Sequence, residues 1–149
     1  MTQANRKTIK STALWLVGVN VAVVLVHSVA HEVLKVKATP AQLAFIVPVI
    51  LVAPPVAGLL LLRWTKAGAW VLLASMTGSF FFGLYYHFVA DTIDHVSHVA
   101  RMEPAFWSWV FRASAYLLVV CEAWGALGAW RLLAAESRPL EHYAARTGL

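Results

Sequence analysis

The chain has 149 residues, 60% of them apolar and only 13% charged, with a mean hydropathy of +0.70. Soluble domains carry about 25% charged residues, so a water-soluble globule and a disordered chain are both excluded, and the length allows one domain. A single cysteine, Cys121, excludes a disulfide framework and any CxxC-type metal or redox motif. The formal net charge of +5 does not point to nucleic acid. The basic residues sit at the ends of apolar runs, where membrane topology accounts for them.

Four stretches reach the ~20 mostly apolar residues that a helix needs to cross ~30 Å of hydrocarbon. They are 11–34, 43–62, 67–98 and 106–133, followed by a polar tail, 134–149. The links are short, which makes neighbouring helices antiparallel. The expected fold is therefore an all-α integral membrane protein, one membrane domain over 1–149, built as an up-down-up-down four-helix bundle. Pro48, Pro54 and Pro55 fall inside the second span, remove backbone donors and predict a kink there.

Orientation follows from the basic residues. Arg6, Lys7, Lys10, Arg63, Lys66, Arg131, Arg138 and Arg146 fall on one side. Lys35, Lys37, Arg101 and Arg112 are the most that the other side can claim. The positive-inside rule then places both termini and the tail in the cytoplasm, with a bacterial inner membrane as the expected location. Trp15, Trp64, Trp70 and Trp130 fall near the inner boundary and Trp107 and Trp109 near the outer one, as in an aromatic belt.

The chemistry concentrates at the outer ends of the first and third spans. The first ends with His27-Ser-Val-Ala-His31-Glu32 and the third with His87-Phe-Val-Ala-Asp91-Thr-Ile-Asp94-His95-Val-Ser-His98. At about 100° per residue, His27 and His31 lie about 40° apart on one helix face. If the third segment is one helix, His87, Asp91, Asp94, His95 and His98 share an arc of roughly 100°. The two spans run parallel, so His31 and His87 come to nearly equal depth, with His27 a turn deeper.

Ionisable groups in hydrocarbon are expensive and normally face a partner or a cavity. Imidazole and carboxylate together form the ligand set of Zn, Fe, Mn and Cu sites. The expected ligands are His27, His31, His87, Asp91, Asp94, His95 and His98, holding one ion with hydrogen-bonded partners or two neighbouring ions. Arg112 and Glu32 would stand behind the ligands, and Asp94 or Glu32 would serve as catalytic base. Two readings compete. The same groups form a solvated ion-pair cluster, His95 and His98 lying beyond the hydrocarbon, or His27 or His31 opposite His87 holds a b-type haem, which would leave Asp91 and Asp94 without a purpose.

Glu122 is a carboxylate deep in the fourth span, level with Asn20 and Thr77. A hydrogen bond from a protonated Glu122 to either would tie helices together, and a proton relay toward His27 is the alternative. Ser28, Ser97 and Cys121 show no base-and-orienter arrangement for covalent catalysis. Gly78, Gly83, Gly125 and Gly128 allow close helix approach, in a homo-oligomer among other settings.

His27-xxx-His31 with Asp94-His95-xx-His98 resembles, over about ten residues, the histidine boxes of membrane di-iron desaturases and hydroxylases. Those carry more histidines, without interspersed carboxylates, and face the cytosol. His87-xxx-Asp91 is similar to part of the pattern of membrane-bound metal-dependent hydrolases, whose Gly-His-Arg-Gly-x-Thr-His segment is absent. The resemblances imply metal-based oxidation or hydrolysis. The reading is a membrane metalloprotein, most simply an enzyme acting on a lipid, quinone or other hydrophobic small molecule that enters from the bilayer. Its alternatives are a transition-metal transporter or sensor, and an accessory subunit of a membrane complex, with or without haem b.

Overall fold

In the computed structural model, which describes residues 3–136, every regular element is helical. The elements in order are α1 (Gln3–Leu34), α2 (Pro40–Phe45), a π-helical turn (Ile46–Val52), α3 (Ala53–Arg63), α4 (Thr65–Leu84), a second π turn (Tyr85–Val89), α5 (Val96–Val99) and α6 (Ala105–Glu136). Four helical stretches are long and apolar enough to cross a membrane: Lys7–Leu34, Pro40–Arg63, Thr65–Val89 and Ala105–Glu136. The tail expected over 134–149, with Arg138 and Arg146, lies almost wholly outside the described residues.

Helix α1 ends in a reversal that matters for the site. Lys35 takes a left-handed conformation, φ 57°. Its N–H reaches Glu32 O at 3.2 Å, and the N–H of Val36 reaches His31 O at 3.0 Å. This is the Schellman pattern with lysine where glycine is usual. Buried Val36 folds back against Ala30, Leu34, Val99 and Phe111.

The second span begins with a capping box. Thr39 Oγ1 accepts from Gln42 N–H at 3.2 Å and Gln42 Oε1 accepts from Thr39 N–H at 2.6 Å, with Pro40 in the first turn. The helix then widens into the π turn around Pro48, closed by a bond from Ala53 N–H to Pro48 O. Pro54 and Pro55 follow and cannot donate. A ladder short of donors settles into the wider i→i+5 spacing.

Trp64 alone joins α3 to α4. That turn brings two backbones together at Gly68, where a Cβ would stand 2.5 Å from Leu61 N. Only glycine fits there.

The packing pairs run in register. Val17 lies beside Gly58 and Lys10 Nζ donates to Leu62 O; Leu16 faces Gly128, while His27 meets Ser114; Met76 packs on Gly125, and His87 and Glu122 flank Gly83. One apolar cluster joins Ala13, Val17, Leu61, Leu72, Met76 and Leu132; the other joins Ala30, Leu34, Val36, Val99 and Phe111. On α1, buried Asn20 and His27 fall between the two clusters. The polar layer therefore sits between two dry ones.

The third helical stretch stops at Val89 instead of running on to His98. Ala90 turns extended at ψ 134°, and its N–H closes the π turn on Tyr85 O at 2.7 Å. The segment Asp91-Thr-Ile-Asp94 follows, in which the side chains of Asp91, Thr92 and Asp94 can offer the backbone local alternatives to a helix. The 100° stripe expected of one continuous helix does not exist beyond this point.

Candidate metal centre

His27, His31 and His87 offer three ring nitrogens, all within 4.8 Å of one another, a group that could hold a metal ion. The ring centroids of His27 lie 4.7 Å from His31 and 4.9 Å from His87, with His31 and His87 at 6.1 Å. His27 and His87 are buried and His31 half-buried. Phe111, fully buried, packs on all three rings at 4.6, 4.7 and 5.4 Å. The side of the site toward α6 is thus a dry aromatic wall.

Each ring is fixed through its other nitrogen. His31 Nδ1 lies 2.9 Å from Val36 O, the carbonyl that the reversal at Lys35 brings back. His87 Nδ1 lies 3.1 Å from Asp94 O, delivered by the break after Val89. A carbonyl oxygen only accepts, so in both rings Nδ1 carries the proton. His27 Nδ1 lies 2.8 Å from Ser114 Oγ. That hydroxyl spends its own proton on Val110 O and Phe111 O, so it accepts from His27. All three Nε2 atoms are left with free lone pairs in the neutral rings.

His27 Nε2 and His31 Nε2 are 3.2 Å apart. Two lone pairs at that distance repel unless a proton or a shared cation lies between them. The separation is close to the ~3.3 Å edge of a tetrahedron with ~2.0 Å metal–nitrogen bonds. Nδ1–H held by a carbonyl or hydroxyl, with Nε2 free, is also how metal-binding histidines are usually oriented. The donor set fits a borderline transition-metal ion.

The histidines open onto a cavity of about 510 Å³. Val24, Leu43, Ile46, Ile50, Leu51, Phe82, Leu118 and Val119 are among its apolar lining, and Ser28, Glu32, Lys37, Ser79, Gly83, Asp94 and Glu122 are its other polar or open points. Leu43, Leu51 and Ser28 are exposed, and so are Glu32 and Lys37, so the cavity reaches the surface of the bundle beside α1. Asp94 Oδ1, Glu122 Oε2 and Ser79 Oγ are buried without a hydrogen-bond partner, and all three residues line this one space. Buried polar atoms are rarely left so in a native structure.

Asp94 is buried in the loop beyond the third span, where Gln42 Nε2 donates to its Oδ2 at 3.4 Å. Burial pushes the Asp94 carboxyl above the usual carboxylate range, opposed by nearby His31 and by the Gln42 bond.

The remaining expected site residues divide plainly. Glu32 reaches the cavity mouth. Asp91, His95 and His98 do not join the three histidines. His98 Nε2 pairs with Asp91 Oδ1 at 3.2 Å in an exposed position, and His95 Nδ1 accepts from Ser97 N–H to cap the short helix α5. Arg112 and Thr77, both half-buried, do not line the cavity. The hydrogen bond expected between Glu122 and Asn20 is not made: Glu122 Oε2 and Asn20 Oδ1 are each without a partner. Cys121 is a free, half-buried thiol.

Phe111, Ser114 and Gln42 were not legible as site residues. A serine inside an apolar helix usually bonds back to its own turn, and nothing in spacing alone marks one that also holds a histidine. No protein-family model, no curated protein and no solved structure matches this chain.

Proposed function

We propose that this chain is a membrane metalloenzyme. His27, His31 and His87 hold a single transition-metal ion, Zn, Fe, Mn or Cu, beside a cavity that admits a hydrophobic small molecule from the bilayer. The observation that carries the reading is the convergence of a ring nitrogen from each of three histidines, whose Nδ1 atoms lie against Ser114 Oγ, Val36 O and Asp94 O and leave Nε2 free. Three protein ligands leave a coordination position open toward the cavity, the arrangement of catalytic rather than structural sites. A bound ion supplies Lewis acidity for hydrolysis or, if redox-active, for oxidation. Asp94, with Oδ1 free, is placed to move a proton, and Glu32 is the acid at the mouth.

Transport is supported less. Beyond Glu122 the cluster of Leu61, Leu72, Met76 and Leu132, each fully buried, closes the polar layer on that side. Haem b is also less favoured. His31 and His87 are the widest pair, and the His27 and Phe111 rings stand close to both, where a porphyrin would have to pass.

The register of packed pairs supports an up-down-up-down bundle, and the π turn at Pro48 supports a bent second span. We place both termini in the cytoplasm of a bacterial inner membrane on the distribution of lysine and arginine. A homo-oligomer or a larger membrane complex is compatible with the many exposed apolar side chains.

Elemental analysis of purified wild type beside His31→Ala, His87→Ala and Asp91→Ala tests the proposal. Stoichiometric metal in wild type and Asp91→Ala, lost in both histidine variants, is expected. Unchanged metal in both histidine variants contradicts it.

A further inference from the structure

At the end of the cavity away from Asp94, Glu122 is 2% exposed and Ser79 1% exposed. Each carries a buried oxygen without a partner, Oγ in Ser79 and Oε2 in Glu122, and both residues line the same largely apolar space. Gly83 lies between this pair and the metal-binding group. A Cβ on Gly83 would stand 3.8 Å from Glu122 Oε2 and 3.9 Å from His87 Cδ2. The glycine thus leaves open the space between the His87 ring and the carboxyl, in a cavity that Ile50, Leu118 and Val119 also line.

A buried acid oxygen with no protein partner, on a residue that lines an apolar pocket, is costly to keep. A ligand's hydrogen-bond donor would satisfy it, and a neutral donor enters hydrocarbon at far lower cost than a cation. Glu122 accepts from a hydroxyl, while Ser79 both gives and takes a hydrogen bond.

We propose that Glu122 and Ser79 form a subsite for the hydroxyl group of a membrane-soluble molecule that lies across Gly83, with its reacting end at the histidines. This deepens the reading above and takes from it only the placement of the reacting end. The chemistry is shared by aliphatic lipid alcohols and by phenols such as a quinol. Gly83 is the residue that limits bulk at the crossing point.

The test uses full-length protein in detergent and four probes: decanol and its methyl ether, and a short-tailed alkylhydroquinone and its dimethyl ether. Affinities are read by calorimetry, with metal content measured on the same samples. At least one hydroxyl probe is expected to bind about tenfold or more tightly than its ether, and the probe that does so identifies the source. Glu122→Met, which replaces an unpaired buried acid with an apolar side chain of similar length, should fold, keep its metal and erase that preference. Gly83→Ala, which clashes with nothing, should fold, keep its metal and weaken the hydroxyl probe.

Ethers that bind as well as their alcohols overturn the subsite, and so does a preference that survives in Glu122→Met. Failure of the metal reading shows separately. Wild type would then hold no metal while the hydroxyl preference and its loss in Glu122→Met persist.

Discussion

His27 and His31 hold their Nε2 atoms 3.2 Å apart on successive turns of α1, while each Nδ1 is bound to a fixed acceptor. For His27 that acceptor is the Ser114 hydroxyl at 2.8 Å. Ser114→Ala removes it without touching a ligand. Partners of this kind are worth about 10- to 100-fold in metal affinity. Competition against a calibrated chelator should show a loss of that size at unchanged stoichiometry. An unaltered affinity would mean that the hydroxyl plays no part in orienting the ring.

The exposed pair of Asp91 and His98 should be silent. Surface ion pairs contribute about 0–1 kcal/mol, and neither residue reaches the three histidines. Asp91→Ala and His98→Ala should each retain full metal and shift unfolding stability by less than about 0.5 kcal/mol. Loss of metal in either would bring the outer loop into the site.

How much of this could be read from residues alone differs along the chain. The four apolar runs declare themselves by length, and the i,i+4 spacing of His27 and His31 holds because α1 is continuous through both. His87 is found with them because depth counting works within an unbroken span. The same counting fails four residues later. The π turn at Tyr85–Val89 and the extended Ala90 end the helix; Asp91 and His98 swing out to water, and half-buried His95 turns to cap α5. What the break provides in exchange, the Asp94 carbonyl on His87, depends on backbone path and leaves no mark on side-chain periodicity. The Lys35 reversal is similar: a left-handed lysine carries no signal comparable to glycine, yet it sets the Val36 carbonyl on His31.

Asp94 makes the metal-free protein sensitive to pH in a definite direction. Burial raises its folded pKa above the unfolded value. The stability linked to this group is therefore fully present below the unfolded pKa, and is lost as pH rises through the raised one. Thermal unfolding of apoprotein in detergent, from about pH 4 to about pH 8, should show wild type losing ground relative to Asp94→Asn as pH rises. A difference that is flat, or that grows in wild type's favour, contradicts the burial of this carboxyl.

Two glycines distinguish backbone from side-chain contact. A Cβ at Gly68 meets Leu61 N at 2.5 Å and Leu61 Cα at 2.9 Å, and nothing there can yield. A Cβ at Gly125 meets only the Met76 side chain, at 3.0 Å, and methionine re-packs readily. Gly68→Ala should cost about 3 kcal/mol or more, and Gly125→Ala about 1 kcal/mol. Melting temperatures of the purified variants check the order. Equal losses would argue against the one-residue turn at Trp64.

X-ray absorption at the metal edge of loaded wild type and of His87→Ala reaches the central claim most directly. Three imidazole nitrogens at about 2.0–2.1 Å, one of them lost in the variant, is the predicted result. A shell of oxygen or sulfur atoms, or one that the substitution leaves intact, would contradict it.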